Sequence, residues 1–166
     1  MGVIRRLKGQ CGFSLAESLF VLLLLSMVSS AMLAGVLFAS RQYARSMELS
    51  QSRILSSTLR SAVSTELSNG EGITVENGEL KTFWTQNYLQ SETNDSFENR
   101  DGKLYLNGMP LISAEAYSQG LRAELDLPIR YDRDSGVFHV KLTIYDSKRE
   151  NRLEESVFDV VLLNPE

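Results

Sequence analysis

Between Ser18 and Ser40 the chain carries no ionisable side chain. The 21 residues from Leu19 to Ala39, LFVLLLLSMVSSAMLAGVLFA, would cover roughly 30 Å as a helix, about one hydrocarbon core. Such a run must be covered by lipid or by other apolar helices. A short basic head, MGVIRRLKGQC, precedes it with Arg5, Arg6 and Lys8, and a single carboxylate, Glu17, stands at its edge. A bare carboxylate there is costly, so Glu17 either finds a partner or lies solvated at the headgroup level, where a helix N-terminus favours it.

Beyond the run the pattern turns amphipathic without a break. Met47, Ile54, Leu55, Leu59, Ala62, Val63 and Leu67 fall at spacings of three, four and seven, with Arg53, Arg60, Glu66 and several serines between them. No proline intervenes, and Asn69-Gly70-Glu71-Gly72 supplies a stop. One helix from about Phe13 to Leu67 is expected, roughly 80 Å long. Within it, Ala31, Gly35 and Ala39 recur every four residues, a small-residue stripe of the kind that lets helices approach closely in lipid.

From Ile73 onward the pattern is that of antiparallel strands. Asn77-Gly78 and Asn107-Gly108 predict two hairpins, over Ile73 to Phe83 and Leu104 to Ile112, because both turn residues tolerate positive φ. Gln90 to Asp101 reads as an irregular loop, while Gln86 to Leu89 and Ala114 to Gly120 fit no single element. Ile129 and Tyr131 lead through the turn Asp132 to Gly136 into Phe138, Val140, Leu142 and Ile144, which alternate with Val137, His139, Lys141 and Thr143; Phe158, Val160 and Leu162 repeat that alternation. The sheet needs a cover for its apolar face, and the apolar stripe of the distal helix can provide one. The fold expected is α+β: a long N-terminal helix packed on a C-terminal antiparallel sheet.

At 166 residues the chain is one modest domain plus an extension, with no room for a large enzyme. Catalytic candidates are thin. His139 is the sole histidine, placed mid-strand opposite an apolar face; no His or Cys cluster could hold zinc, and there is no Gly-rich phosphate loop. Asp132, Asp134 and Gly136 echo a calcium loop without its closing glutamate. Phe83 and Trp84 read as core. Neither an enzymatic activity, a metal nor a cofactor is expected.

Residues 12 to 17 read Gly-Phe-Ser-Leu-Ala-Glu. Between a basic head and an apolar run, this resembles the N-terminus of type IV prepilins and of the pseudopilins of type II secretion and DNA-uptake machines. The likeness covers about the first third of the chain. It implies cleavage after Gly12 by a prepilin peptidase, N-methylation of the new terminal Phe13, and pairing of Glu17 with the terminal amine of a neighbouring subunit. Residues 1–12 would then be a leader, 13–40 the membrane and filament-core half of the helix, 41–68 its amphipathic half, and 69–166 a globular β domain. Cleavage would remove three cations and take the formal charge from −4 to −7, a sign that argues against direct nucleic-acid binding by this subunit alone. It would also remove Cys11, the only cysteine, so the mature chain could not form the internal disulfide that many exported pilins carry. Another departure is Ala34, near where many pilins have a proline.

The resemblance implies as partners the prepilin peptidase, other pilin or pseudopilin subunits, the membrane and an inner-membrane assembly platform. Localisation would begin as a single-pass protein with its N-terminus cytoplasmic, followed by entry into a pilus or pseudopilus, most simply as a minor component. A lipoprotein reading of Cys11 lacks the apolar stretch and small residue that should precede it, since Gln10 stands there. An ordinary signal peptide, with Ala31 to Ala34 mimicking its cleavage site, would have a shorter apolar region than this one. The main alternative is a single-pass anchored extracellular binding domain that keeps its leader.

Overall fold

The computed structural model describes residues 14–85, 96–148 and 151–163. The expected cleavage site, Gly12 and Phe13, lies outside them, as do the expected leader and residues 86–89.

Helix α1 spans Leu15–Ser68, 54 residues, close to the extent expected from the missing proline and the Asn-Gly stop. The molecule divides into two units at Arg45/Ser46. In the first, the apolar side chains of α1 from Leu19 to Phe38 are all exposed. Three of its serines turn inward on the backbone: Ser26, Ser30 and Ser40 each donate to the carbonyl three residues back, at 2.7, 2.9 and 3.0 Å. A hydroxyl satisfied in this way is no obstacle to an apolar surrounding. This helix is long and apolar enough to cross a membrane.

The second unit is α+β. Strands β1 (Glu71–Glu76) and β2 (Glu79–Trp84) form the first hairpin; β3 (Phe97–Arg100), β4 (Lys103–Leu106) and β5 (Met109–Pro110) form a small antiparallel sheet. Two short 3-10 turns, Ala114–Ala116 and Ser118–Gly120, lead to β6 (Arg122–Leu125) and β7 (Arg130–Asp132). The longest strands, β8 (Val137–Tyr145) and β9 (Arg152–Val161), complete a six-stranded sheet that runs β1-β2-β7-β8. Along one side of β8, β7 pairs with residues 137–139 and β6 with residues 142–145; β9 takes the whole of the other side.

Both Asn-Gly hairpins form as expected, with φ of 55° and 79° at Asn77 and Gly78 and 51° and 73° at Asn107 and Gly108. A third turn of the same kind, Asp101-Gly102 at 54° and 74°, joins β3 to β4. The end of the expected loop is therefore strand: Phe97–Arg100 pairs with Lys103–Leu106, and Phe97 is buried. Arg122–Leu125 is also a strand with no counterpart in the sequence expectation. Its alternation of Arg122, Ala123, Glu124 and Leu125 is too short to register as a period.

The helix stripe covers the sheet as expected. Leu55, Leu59, Val63 and Leu67 are buried in one cluster with Phe83, Phe138, Val140, Leu142, Ile144, Phe158 and Val160. Ser52 and Ser56 share that face, where small side chains allow close approach. Ile54, placed on the core stripe by its spacing, instead lies 64% exposed, because one residue of helix turns it about 100° from Leu55. Met47 is exposed too. Glu66, read as part of the polar side, is buried and accepts a 2.9 Å hydrogen bond from the Thr85 hydroxyl. Trp84 is 44% exposed rather than core, lying over Gly72, where a Cβ would collide with the indole. Phe83, its neighbour on the opposite strand face, is core as expected.

Two ties join the sheets. The Asn99 side chain donates to the Leu125 carbonyl at 2.7 Å and accepts from the Leu125 N–H at 2.9 Å, and the Ala123 N–H donates to the Gly102 carbonyl at 2.8 Å. Tyr117 completes the junction by accepting the Leu104 N–H at 3.0 Å. At the far end, the Leu163 N–H takes the Ser68 carbonyl at 3.0 Å, one of the orphan acceptors of the helix terminus.

Candidate functional site

The sequence places its candidate site on the first unit. There, Glu17 stands in the first turn of α1 and is exposed; its N–H and that of Ser18 both donate to the Ser14 carbonyl, at 2.9 and 3.1 Å. The carboxylate thus sits where the unpaired N–H groups of a helix start favour negative charge. Ala31, Gly35 and Ala39 are helical and exposed, and a Cβ built on Gly35 would meet open space.

Helix geometry relates the two features. Eighteen residues are five full turns, so Gly35 lies on the same line of α1 as Glu17, about 27 Å along the axis. Ala31 and Ala39 flank that line by about 40° on either side. The acid and the small residues therefore share one face, which the spacing of four among the small residues alone does not reveal. Phe13 and Gly12 lie outside the described residues.

In the second unit, His139 and Asp132 each make local hydrogen bonds. His139 is about half-exposed, with Nδ1 2.7 Å from Asp159 Oδ1. No serine or cysteine nucleophile stands in hydrogen-bond contact with it among the described residues. Asp132 spends both carboxylate oxygens on its own turn: Oδ1 accepts from the Asp134 N–H at 3.1 Å and Oδ2 from the Ser135 hydroxyl at 2.6 Å. Those bonds, the Ser135 hydroxyl foremost, hold the Asp132 carboxyl below the ordinary carboxylate range. Among the described residues no group of three His, Cys, Asp or Glu side chains is placed to hold a metal ion. A cleft of about 690 Å³ opens where the helix terminus, β1 and the β7–β8 turn meet, and neither histidine nor cysteine lines it.

Sequence reasoning missed Glu66 and Tyr117 as buried polar groups. Burial pushes the Tyr117 phenol above its usual range. Neither position carries a sequence signal that separates it from a solvated residue.

No family model, no curated protein and no solved structure matches the chain.

Proposed function

We propose that this chain is a prepilin-like structural subunit, cut between Gly12 and Phe13 and built through its N-terminal helix into a type IV pilus, a competence pseudopilus or a type II secretion filament, as a minor pilin or pseudopilin. The carrying observation is the exposed, uncharged stretch of α1 with Glu17 in its first turn and the small residues on the Glu17 line. A helix surface this apolar is not stable in water and needs lipid or like helices around it.

On this reading, cleavage frees the Phe13 amine and Glu17 of an incoming subunit pairs with the amine of a subunit already in place. The pairing neutralises two charges in an apolar surrounding and sets the axial register of one helix against the next. Gly35, with Ala31 and Ala39 beside it, gives the neighbouring helix room to approach. Before assembly the subunit is a single-pass membrane protein with its N-terminus in the cytoplasm, where Arg5, Arg6 and Lys8 hold it. Its partners are the prepilin peptidase, the assembly platform in the inner membrane and other pilin-like subunits. The β domain faces outward and works by contact rather than by catalysis.

Mass spectrometry of the mature N-terminus tests this directly. A chain beginning at an N-methylated Phe13 is the expected result. An intact leader on the working protein would replace this reading with that of a single-pass anchored binding domain.

A further inference from the structure

β9 is the longest strand of the sheet and an edge strand, with no described strand on its outer side. Its hydrogen-bonding directions can be assigned. The Leu162 N–H donates to the Gly136 carbonyl at 3.1 Å, so the even-numbered residues of β9 point their backbone groups at β8. The Lys141 carbonyl, opposite Val157, is taken from the other side by the Asp126 N–H at 2.9 Å, which agrees. Glu155, Val157, Asp159 and Val161 therefore direct their N–H and C=O groups away from the sheet.

The same four residues put their side chains on the outer face, opposite the face that carries Phe158 and Val160 into the core. Val157 is 67% exposed and Val161 59%. Natural sheets blunt a long edge with lysine, proline or a bulge. None of these occurs among the four, and the one irregularity of the β8–β9 ladder lies beyond them, at Ile144/Tyr145.

The charges decide what this edge can accept. Glu155 is compensated by Lys141 at 3.7 Å and by Arg152. Among the described residues Asp159 has an ion-pair contact only with His139, whose charge depends on protonation, so no permanent cation lies within ion-pair distance of it. A second copy is a poor occupant. In two-fold antiparallel pairing of β9 with itself, a register centred on Val157 opposes Glu155 to Asp159, and one centred on Asp159 opposes it to itself. The register between them sets Val157 against Asp159 and Glu155 against Val161, so each opposes like charges or matches an apolar group to an acid. The opposite edge of the sheet, β1, has no basic residue to offer.

We propose that the outer edge of β9 is a strand-docking site for an extended segment of another protein that sets a lysine or arginine opposite Asp159 and β-branched residues opposite Val157 and Val161. Backbone hydrogen bonds to the four outward residues supply the attachment, and the apolar–x–basic–x–apolar pattern supplies the choice of partner. The site depends on the second unit alone and stands whether or not the chain enters a filament.

The test uses the full chain in detergent micelles and a blocked peptide, Ser-Val-Thr-Lys-Thr-Val-Ser, against the same peptide with glutamate in place of lysine. Hydrogen exchange should slow at the amides of Val157, Asp159 and Val161, the three outward residues the seven-residue lysine peptide spans, and stay unchanged at Ser156, Phe158 and Val160. The glutamate peptide should bind roughly three- to tenfold more weakly. Asp159→Lys should reverse that preference, and Val157→Pro, which deletes an outward N–H, should abolish protection. Should Val157→Pro fail to fold, the charge-reversal pair decides. Absence of protection, equal binding of the two peptides, or protection that rises with chain concentration alone would each overturn the proposal, the last by making a second copy the occupant.

Discussion

The side chain of Asn99 pairs with Leu125 as a strand would, donating to its carbonyl at 2.7 Å and accepting from its N–H at 2.9 Å. This amide is one of the two ties that fix the small sheet to the large one at β6, the other being the Ala123 N–H to the Gly102 carbonyl. Both Leu125 backbone groups would otherwise lack this partner at a part-buried junction, and a buried polar group without a partner costs about 1–3 kcal/mol.

Asn99→Ala should therefore lower stability by about 1–3 kcal/mol, read from the denaturant midpoint of the chain in micelles. Asn99→Asp keeps the acceptor but sets a second oxygen against the Leu125 carbonyl, so it should also destabilise despite its equal size. A melting temperature unchanged in the aspartate variant would contradict the pairing.

Tyr117→Phe leaves the buried Leu104 N–H without its acceptor and should cost about 1–3 kcal/mol near neutral pH. The phenol has a raised pKa because burial disfavours the charged form, with the Leu104 bond opposing that shift and the neighbouring Tyr105 adding to it. The folded state thus holds its proton more tightly than the unfolded chain does. This contribution is fully present below the ordinary tyrosine range and is lost as pH rises through the raised value. The stability gap between wild type and Tyr117→Phe should accordingly narrow in alkali, as followed by melting temperature against pH.

Two changes on one helix separate core from surface. Leu59, fully buried under the sheet, should cost about 2–5 kcal/mol on change to alanine. Ile54→Ser, five residues earlier and turned outward, should stay within about 0.5 kcal/mol. Equal effects would mean that the helix presents a different face to the sheet.

For the proposed assembly role, Glu17→Val should still be processed at Gly12 yet enter filaments poorly, since the freed amine would have no acid to meet. Gly35→Leu should be processed and inserted normally but assemble less, because the added bulk sits on the Glu17 line where a neighbour is to approach. Immunoblots of processed chain and of sheared filaments distinguish the steps. Normal incorporation of Glu17→Val would remove the charge-pairing mechanism.

Much of this molecule is written locally. The helix extends as far as its unbroken apolar and amphipathic periods, and three two-residue turns lie where Asn-Gly or Asp-Gly occurs, because positive φ is a property of those residues themselves. Even the shared line of Glu17 and Gly35 follows from 3.6 residues per turn. Other features have no local cause. Arg122–Leu125 is a strand because β8 offers it a free side, Asn99 completes a sheet because Leu125 lies across from it, and Glu66 is buried because Thr85 meets it there. The outer edge of β9, which no described strand covers, belongs to the same group: ten alternating residues specify a strand, but which of its sides pairs with β8 depends on where the rest of the chain has already docked. Periodicity and turn chemistry act within a few residues, whereas hydrogen-bond partners and burial are set by segments that meet only after the sheet has closed over the helix.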